Sequence, residues 1–453
     1  MTSLNTKDLA SRMTHPMKPL LSAIHDVDGL GVPRAMVVDL FFRLMFQERE
    51  VSVQRFAEVL AVSTRLADSL LAKMKLDNMV EVPRTQGGGL NSMSYIYRLT
   101  EAGEEKARDA MERSQYVGPV PIPVEAYNES VEIQYSNIEK ITPTRVRNHL
   151  KGLILPPNFD RRIGAALNAG TSLFLYGPPG NGKTTIAQVC GELLAGTEPI
   201  FIPFAITISG QIIQIFDKLR HEEVNDNKTF LEQFGRRDMR WVPIKRPSVM
   251  VGGELNLEQL DLRYEPVSKI YEAPLQMKAN GGLFLIDDFG RQQISPSELL
   301  NRWIVPLETR IDFVRLQSGQ AFEFPFKQLI IFSTNLDPAE LADDAFLRRI
   351  QIKVEVGSPD EKMFYELFRI MCGNLRVPFD KDGFVHLLKT WYRGNNNRAM
   401  QGAHPRDILK TIIAICEYSG EEPNMKATMI DEACMSYFVD MSRKKAWSSS
   451  LNQ

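Results

Sequence analysis

The chain has 453 residues, enough for two to four domains at roughly 100–200 residues each. Hydrophobic residues make up 43% and charged residues 24%, which excludes a disordered chain, a collagen-like fibre and a disulfide-stapled miniprotein. With 54 Lys+Arg against 56 Asp+Glu the net charge is -2, so any nucleic-acid contact must use a local patch and not the whole surface.

Four cysteines (Cys190, Cys372, Cys416 and Cys434) show no CxxC or other metal spacing, so reduced thiols are expected, as in cytosol. The six histidines form no HxxxH or HExxH pair, and no zinc site is proposed. The opening residues carry charges and lack a continuous apolar core, unlike a signal peptide. No stretch approaches the roughly 18 apolar residues of a membrane span. A soluble, cytoplasmic protein with no membrane partner is expected.

Residues 1–114 read as helix, helix-turn-helix and hairpin. Pro33 to Phe46 is an apolar helix with Pro33 at its first position. Ser52 can cap a short helix over Val53–Leu60, and Ser63 or Thr64 the next, which carries Leu66, Leu70, Leu71 and Met74 on one side. Strands follow at Met79–Arg84 and Met93–Leu99, around a Gly87-Gly88-Gly89 loop, and Thr100 caps a charged helix. This order resembles a winged-helix domain of α+β type. Arg65, Lys73 and Lys75 could then sit in a DNA groove, with the glycine loop as wing. Residues 1–115 hold 15 basic and 15 acidic residues, however, and that neutral balance favours docking of a protein.

Residues 115–134 form the clearest seam. Pro119, Pro121 and Pro123 predict an extended, Pro-rich linker. A second composition shift near Val356-Gly357-Ser358-Pro359 opens a helical region. The bounds expected are a core over 135–355, an all-helical lid over 356–441 and a frayed tail over 442–453. The methionines of the lid (Met363, Met371, Met400, Met425, Met429, Met435 and Met441) read as lid core.

The decisive motif follows the apolar run Leu173-Phe174-Leu175-Tyr176. Gly177-Pro178-Pro179-Gly180-Asn181-Gly182-Lys183-Thr184 matches GxxxxGK[ST] between a strand and a helix, and Thr185 follows. Glycines let backbone N–H groups curl around phosphate oxygens, and the helix N-terminus adds partial positive charge. Lys183 should reach the β/γ-phosphates of ATP, and the Thr184 hydroxyl should ligate Mg²⁺. Gly282-Leu283-Phe284-Leu285-Ile286-Asp287-Asp288 adds a strand with two carboxylates at its C-terminal end, where ligands lie in an open α/β sheet. Asp287 would hold Mg²⁺ through water, and Asp288 would orient the attacking water.

Together these motifs resemble the AAA+ ATPases over residues 135–440, an α/β P-loop core with a parallel sheet and helical lid. Leu329–Asn335 (LIIFSTN) resembles the sensor 1 strand, Ala345–Ile350 (AFLRRI) the arginine-finger segment and Gly402–Asp407 (GAHPRD) sensor 2. The resemblance implies that Asn335, on a strand adjacent to that of Asp287, bonds the lytic water or γ-phosphate. It implies that Arg349 or Arg348 enters a neighbouring subunit's site, and that Arg406 clamps the γ-phosphate from the lid. Most of the family has Glu where this chain has Asp288, which leaves slow hydrolysis open.

Two insertions stand out. Ser295, Pro296 and Glu298 begin a capped helix, and Arg310–Leu316 with Ala321–Pro325 reads as a hairpin around Ser318-Gly319-Gln320. Its place resembles the presensor-1 β-hairpin branch, with magnesium-chelatase and MoxR-type members; it could face a pore, or cover the core through Phe322 and Phe324. From Lys183 to Asp287 is 104 residues, and the excess is expected over about 218–275. There, Arg236 to Arg246 offers five basic residues, one acid and Trp241, a patch for nucleic acid, an acidic partner or a neighbouring subunit. The function expected is Mg-dependent ATP hydrolysis in a ring, a hexamer, acting on an unknown protein client. A DNA-associated motor or loader and a slow nucleotide-gated switch remain alternatives.

Overall fold

The computed structural model describes residues 15–85, 92–151, 155, 158–224, 227–341, 347–393 and 398–438, with backbone alone at 228, 229, 339 and 340. The Gly87–Gly89 loop, Ala345, Phe346 and the tail over 442–453 lie outside the described residues.

The N-terminal elements are set by local chemistry. α1 (Arg34–Glu48) starts one residue later than expected, because Pro33 takes the N-cap position at φ -54° and ψ 130°. β1 (Val51–Ser52) leads into α2 (Val53–Leu60), capped by the Ser52 hydroxyl accepting from Arg55 N–H. Ser63 caps α3 (Thr64–Leu76) in the same way, accepting from Leu66 N–H. β2 (Val80–Thr85) and β3 (Tyr95–Leu99) pair antiparallel, and β1 adds to the free edge of β3. Thr100 caps α4 (Glu101–Arg113). Leu66, Leu70, Leu71 and Met74 bury against Phe41 and Phe56 as one core.

The linker expectation is corrected. The chain is extended only to β4 (Ile122–Pro123), and α5 (Val124–Ser136) begins at once. Pro123 stands at the N-cap, where its fixed φ and missing N–H cost the helix nothing. Tyr127 and Val131 are buried, so this segment is part of the body and not a free strap.

The rest builds one body. α6 (Pro143–His149) and α7 (Phe159–Ala169) precede β5 (Ser172–Tyr176) and α8 (Lys183–Ala195). Then come β6 (Ile200–Pro203), β7 (Ala205–Ile208), β8 (Gln211–Gln214), β9 (Trp241–Ile244), β10 (Ser248–Val251), β11 (Arg263–Glu265), β12 (Ile270–Glu272) and β13 (Leu283–Ile286). α9 (Pro296–Thr309) carries the capping box of Ser295 and Glu298. β14 (Ile311–Arg315) and β15 (Ala321–Pro325) form the hairpin, and β16 (Leu329–Thr334) and β17 (Ile352–Glu355) complete the core.

Five strands make a fully parallel sheet in the order β10-β13-β16-β5-β17. Apolar cores cover both faces, as such a sheet requires. The α/β P-loop core is therefore present, with one correction. β10 is an edge strand of this sheet, yet lies inside the stretch 218–275 assigned to the insertion. Its four residues, Ser-Val-Met-Val, are too short a signal to separate from surrounding loop. Strands β9, β11 and β12 of that stretch join segments outside it to build a second sheet, β11-β12-β8-β7-β4, and the antiparallel pair β6–β9. The hairpin leans on this second layer: Val314, Leu316, Phe322 and Phe324 are buried in its core, and Gln320 bonds Ser209 at 2.8 Å.

The basic stretch Arg236–Arg246 is also corrected. Trp241 is 2% exposed and cannot stack a base. Arg240 is buried on Asp238 at 2.8 Å and donates to Leu30 O at 3.0 Å and Pro121 O at 3.2 Å. Arg246 is buried on Gly281 O, and Lys245 pairs with Glu222. Of the basic residues in the stretch, Arg236 and Lys245 are exposed, Arg237 is half-buried, and Arg240 and Arg246 are buried.

The lid is helical: α10 (Glu361–Leu375), α11 (Lys381–Leu387), α12 (His404–Ser419) and α13 (Ala427–Tyr437) share one core. All four cysteines are free thiols and buried. No described helix is long and apolar enough to cross a membrane.

Arg240 fastens the N-terminal domain and the segment before α5 to the body. Arg240→Ala strands Asp238 in a buried site, so a loss of about 3–5 kcal/mol is expected. Urea unfolding of the two proteins measures it; a loss below about 1 kcal/mol would show that the pair is not structural.

Candidate nucleotide site

The parallel order places three strand ends side by side. β16 lies between β5, which feeds the glycine loop, and β13, which leads directly into Asp287. Asn335 follows β16 and so stands between Lys183 and the carboxylates. Lys183 Nζ donates to Asn335 Oδ1 at 2.6 Å, and Asn335 Nδ2 donates to Asp288 Oδ1 at 3.0 Å. Thr184 Oγ1 donates to Asp287 Oδ2 at 2.8 Å. Lys183 is 6% exposed and also donates to Gly177 O and Pro178 O, at 2.8 Å each. Burial lowers its pKa, and the nearby Asp287 and Asp288 charges oppose that shift.

The glycine loop is shaped by sterics. Gly177 has φ 132°, and a Cβ there would stand 2.5 Å from Val356 O. Gly177 and Pro178 lie behind the loop and present carbonyls to Lys183. Pro179, Gly180, Asn181, Gly182, Lys183, Thr184 and Thr185 line a cleft of about 540 Å³, within the usual size of a small-molecule site. Asp287, Asp288 and Asn335 line it from the sheet, and Arg406 from the lid. Arg406 is exposed and bonds Asp407 at 2.7 Å.

Asp288 adopts φ 49°, a left-handed conformation that Asp tolerates better than most residues. That turn aims its short side chain at Asn335. Gln292 holds the turn, donating to Asp287 O and Asp288 O and accepting from Gly290 N–H. Gln292 was not found from sequence, because nothing in the spacing marks a side chain that folds back onto its own loop.

The lid closes the cleft. Ala403 N–H donates to Gly180 O at 2.7 Å, and Gly402 N–H to Asn181 Oδ1 at 2.9 Å. Met363, Leu367 and Met371 line the apolar side, so two of the lid methionines face the cleft. Behind it, His404 is buried on Tyr392 OH at 2.7 Å, and burial pushes its pKa down to about 4.

The two finger candidates lie elsewhere. Arg349 Nε donates to Glu308 at 2.6 Å and is 15% exposed, whereas Arg348 is exposed to solvent. Neither lines its own chain's cleft.

The residues fit a Mg-nucleotide. Mg²⁺ keeps several waters and takes one or two carboxylates plus substrate phosphates, and Thr184 and Asp287 offer one hydroxyl and one carboxylate side by side. Among the described residues no group of three or more His, Cys, Asp or Glu forms an all-protein metal cage.

The sheet order, the glycine loop and the carboxylate pair define an α/β P-loop core. A family described as "Domain of unknown function (DUF8689)" matches residues 360–436, the lid. Solved structures similar to this chain include the RuvB Holliday junction branch migration motor of Thermotoga maritima, at 15% identity over 63% of this chain and 71% of that one, with a TM-score of 0.35. Domain III of the replication initiation protein DnaA of the same organism matches at 16% identity, over 64% and 97%, with a TM-score of 0.35. NtrX of Brucella abortus matches at 13% identity, over 73% and 66%, with a TM-score of 0.39.

Gly177 and Gly357 separate steric need from mere location. Gly177→Ala should weaken ATP binding about tenfold or more, since both φ and the Val356 carbonyl oppose a methyl group. Gly357→Ala, with nothing within 4 Å of the new Cβ, should bind as wild type. Calorimetric titration with a non-hydrolysable ATP analogue reads both; equal affinities would refute the steric account.

Proposed function

We propose that this chain binds ATP with Mg²⁺ and hydrolyses it as a ring-forming AAA+ ATPase, a hexamer, that remodels a protein complex. The observation that carries the reading is the convergence of Lys183, Thr184, Asp287, Asp288 and Asn335 at one end of the parallel sheet. In this reading Lys183 leaves the Gly177 and Pro178 carbonyls for the phosphates, and the loop N–H groups hold the remaining oxygens. Thr184 and Asp287 hold Mg²⁺, which neutralises charge on the phosphate oxygens. Asp288 orients and deprotonates the attacking water, and Asn335 links that carboxylate to Lys183. Arg406 exchanges Asp407 for the γ-phosphate when the lid is closed.

Exposure favours Arg348 as the group that enters a neighbouring subunit, with Arg349 anchoring its segment through Glu308. The N-terminal domain is read as a winged-helix-like docking module, and the hairpin as a presensor-1 hairpin of the MoxR and magnesium-chelatase kind. Its buried inner face supports a structural use over a pore loop.

Two measurements test the reading. Phosphate release per subunit should rise with protein concentration and fall by about a hundredfold or more in Arg348→Ala. Concentration-independent turnover in a proven monomer would contradict the ring. Release indifferent to DNA supports the remodeller, and stimulation by DNA would replace it with a DNA motor. Asp288→Asn keeps a residue that tolerates positive φ while removing the base. Turnover should fall by about 10²–10⁴ with ATP binding retained. Equal, near-zero rates in both proteins would leave a nucleotide-gated switch.

A further inference from the structure

A second hollow, of about 600 Å³, lies where the N-terminal domain meets the body. Its floor is apolar, formed by Leu30, Val62 and Leu66. One wall is the first turn of α3, whose N-terminus adds partial positive charge. The other wall is the segment Gly235–Met239, just before β9. Arg65 and Arg236 line the hollow and are exposed; Arg237 lines it half-buried. The Arg237 Nε is buried and has no hydrogen-bond partner among the described residues. A buried donor without an acceptor is costly, so the site favours a ligand that supplies one. The lining acid, Asp238, is already engaged by Arg240 through bonds of 2.8 and 3.0 Å. His25 completes the rim.

We propose that this hollow binds an acidic peptide segment with an apolar anchor residue, supplied by a partner protein. The carboxylates answer the three arginines and the open Nε donor, and the anchor covers the apolar floor. Nucleic acid fits less well. Among the described residues no Phe, Tyr or Trp lines the hollow, which leaves only His25 and the arginine planes for bases to stack on. A hollow of this size cannot admit a duplex, although the first turn of α3 is the part that would have to meet base edges. Naming the occupant as the client rests on the remodelling reading; the recognition chemistry stands without it.

The test is fluorescence anisotropy of the full chain with a labelled peptide, acetyl-EDLFEE-amide. Saturable binding is expected, weakened about tenfold or more in Arg65→Glu/Arg236→Glu. Met239→Asp, a second exposed position on the same wall, should weaken it too, with the thermal midpoint of both variants unmoved. A probe with serine in place of its two apolar residues should bind more weakly. Unchanged affinity in both variants, or no saturable binding, overturns the proposal. So does an oligo-dT probe of equal charge that binds as tightly and loses that binding in the same variants. Phosphate release by the same preparation keeps the two readings apart. Turnover without peptide binding removes the hollow alone, and peptide binding without turnover removes the ATPase and keeps the hollow.

Discussion

The arrangement depends on the parallel pairing of β16 between β5 and β13. That register brings Asn335 to hydrogen-bonding distance of both Lys183 and Asp288, from chain segments about 150 and 50 residues apart in sequence. Without it, the glycine loop and the carboxylate pair would be two unconnected motifs. With it, Lys183, Asn335 and Asp288 form one hydrogen-bonded chain beside the Thr184–Asp287 pair, lining one cleft.

The surrounding structure serves that group. Apolar layers on both faces of the sheet hold the strand ends in register. Val356 closes behind Gly177, so the loop is shaped by the end of the neighbouring strand β17 as well as by its own glycines. The lid reaches the loop through one backbone bond at Gly180 and a side-chain bond at Asn181. A nucleotide that moves the loop would therefore be felt by the lid, the kind of coupling through packed contacts that a conformational cycle needs. At the other end, Arg240 couples the N-terminal domain to the body, and the arginine-lined hollow sits beside that junction.

Local chemistry was legible in the sequence, and long-range burial was not. Ser52, Ser63, Thr100 and the Ser295–Glu298 box cap helices because a cap needs only neighbours a few residues away. The glycine loop and the strand ending in Asp287-Asp288 could be read for the same reason. Arg240, Trp241 and Arg246 looked like a surface stripe because their partners, Leu30, Pro121, Gln134 and Gly281, lie far away in the chain. Helix α5 was hidden by prolines that forbid a helix before them and permit one after. β10 was lost within the insertion because four residues carry too little pattern. The positive φ at Asp288 is a backbone property that no residue type announces, and it sets where a side chain one methylene shorter than Glu can reach.

The most direct measurement is steady-state phosphate release from Mg-ATP by the wild type beside Lys183→Met, a swap that keeps the length of the stem and removes the ammonium. The account predicts turnover on the order of 1 s⁻¹ or slower in the assembled wild type, and at least about a hundredfold less in the variant. Equal rates in the two proteins would contradict it, because the group joined through Lys183 and Asn335 would then not be the catalytic centre.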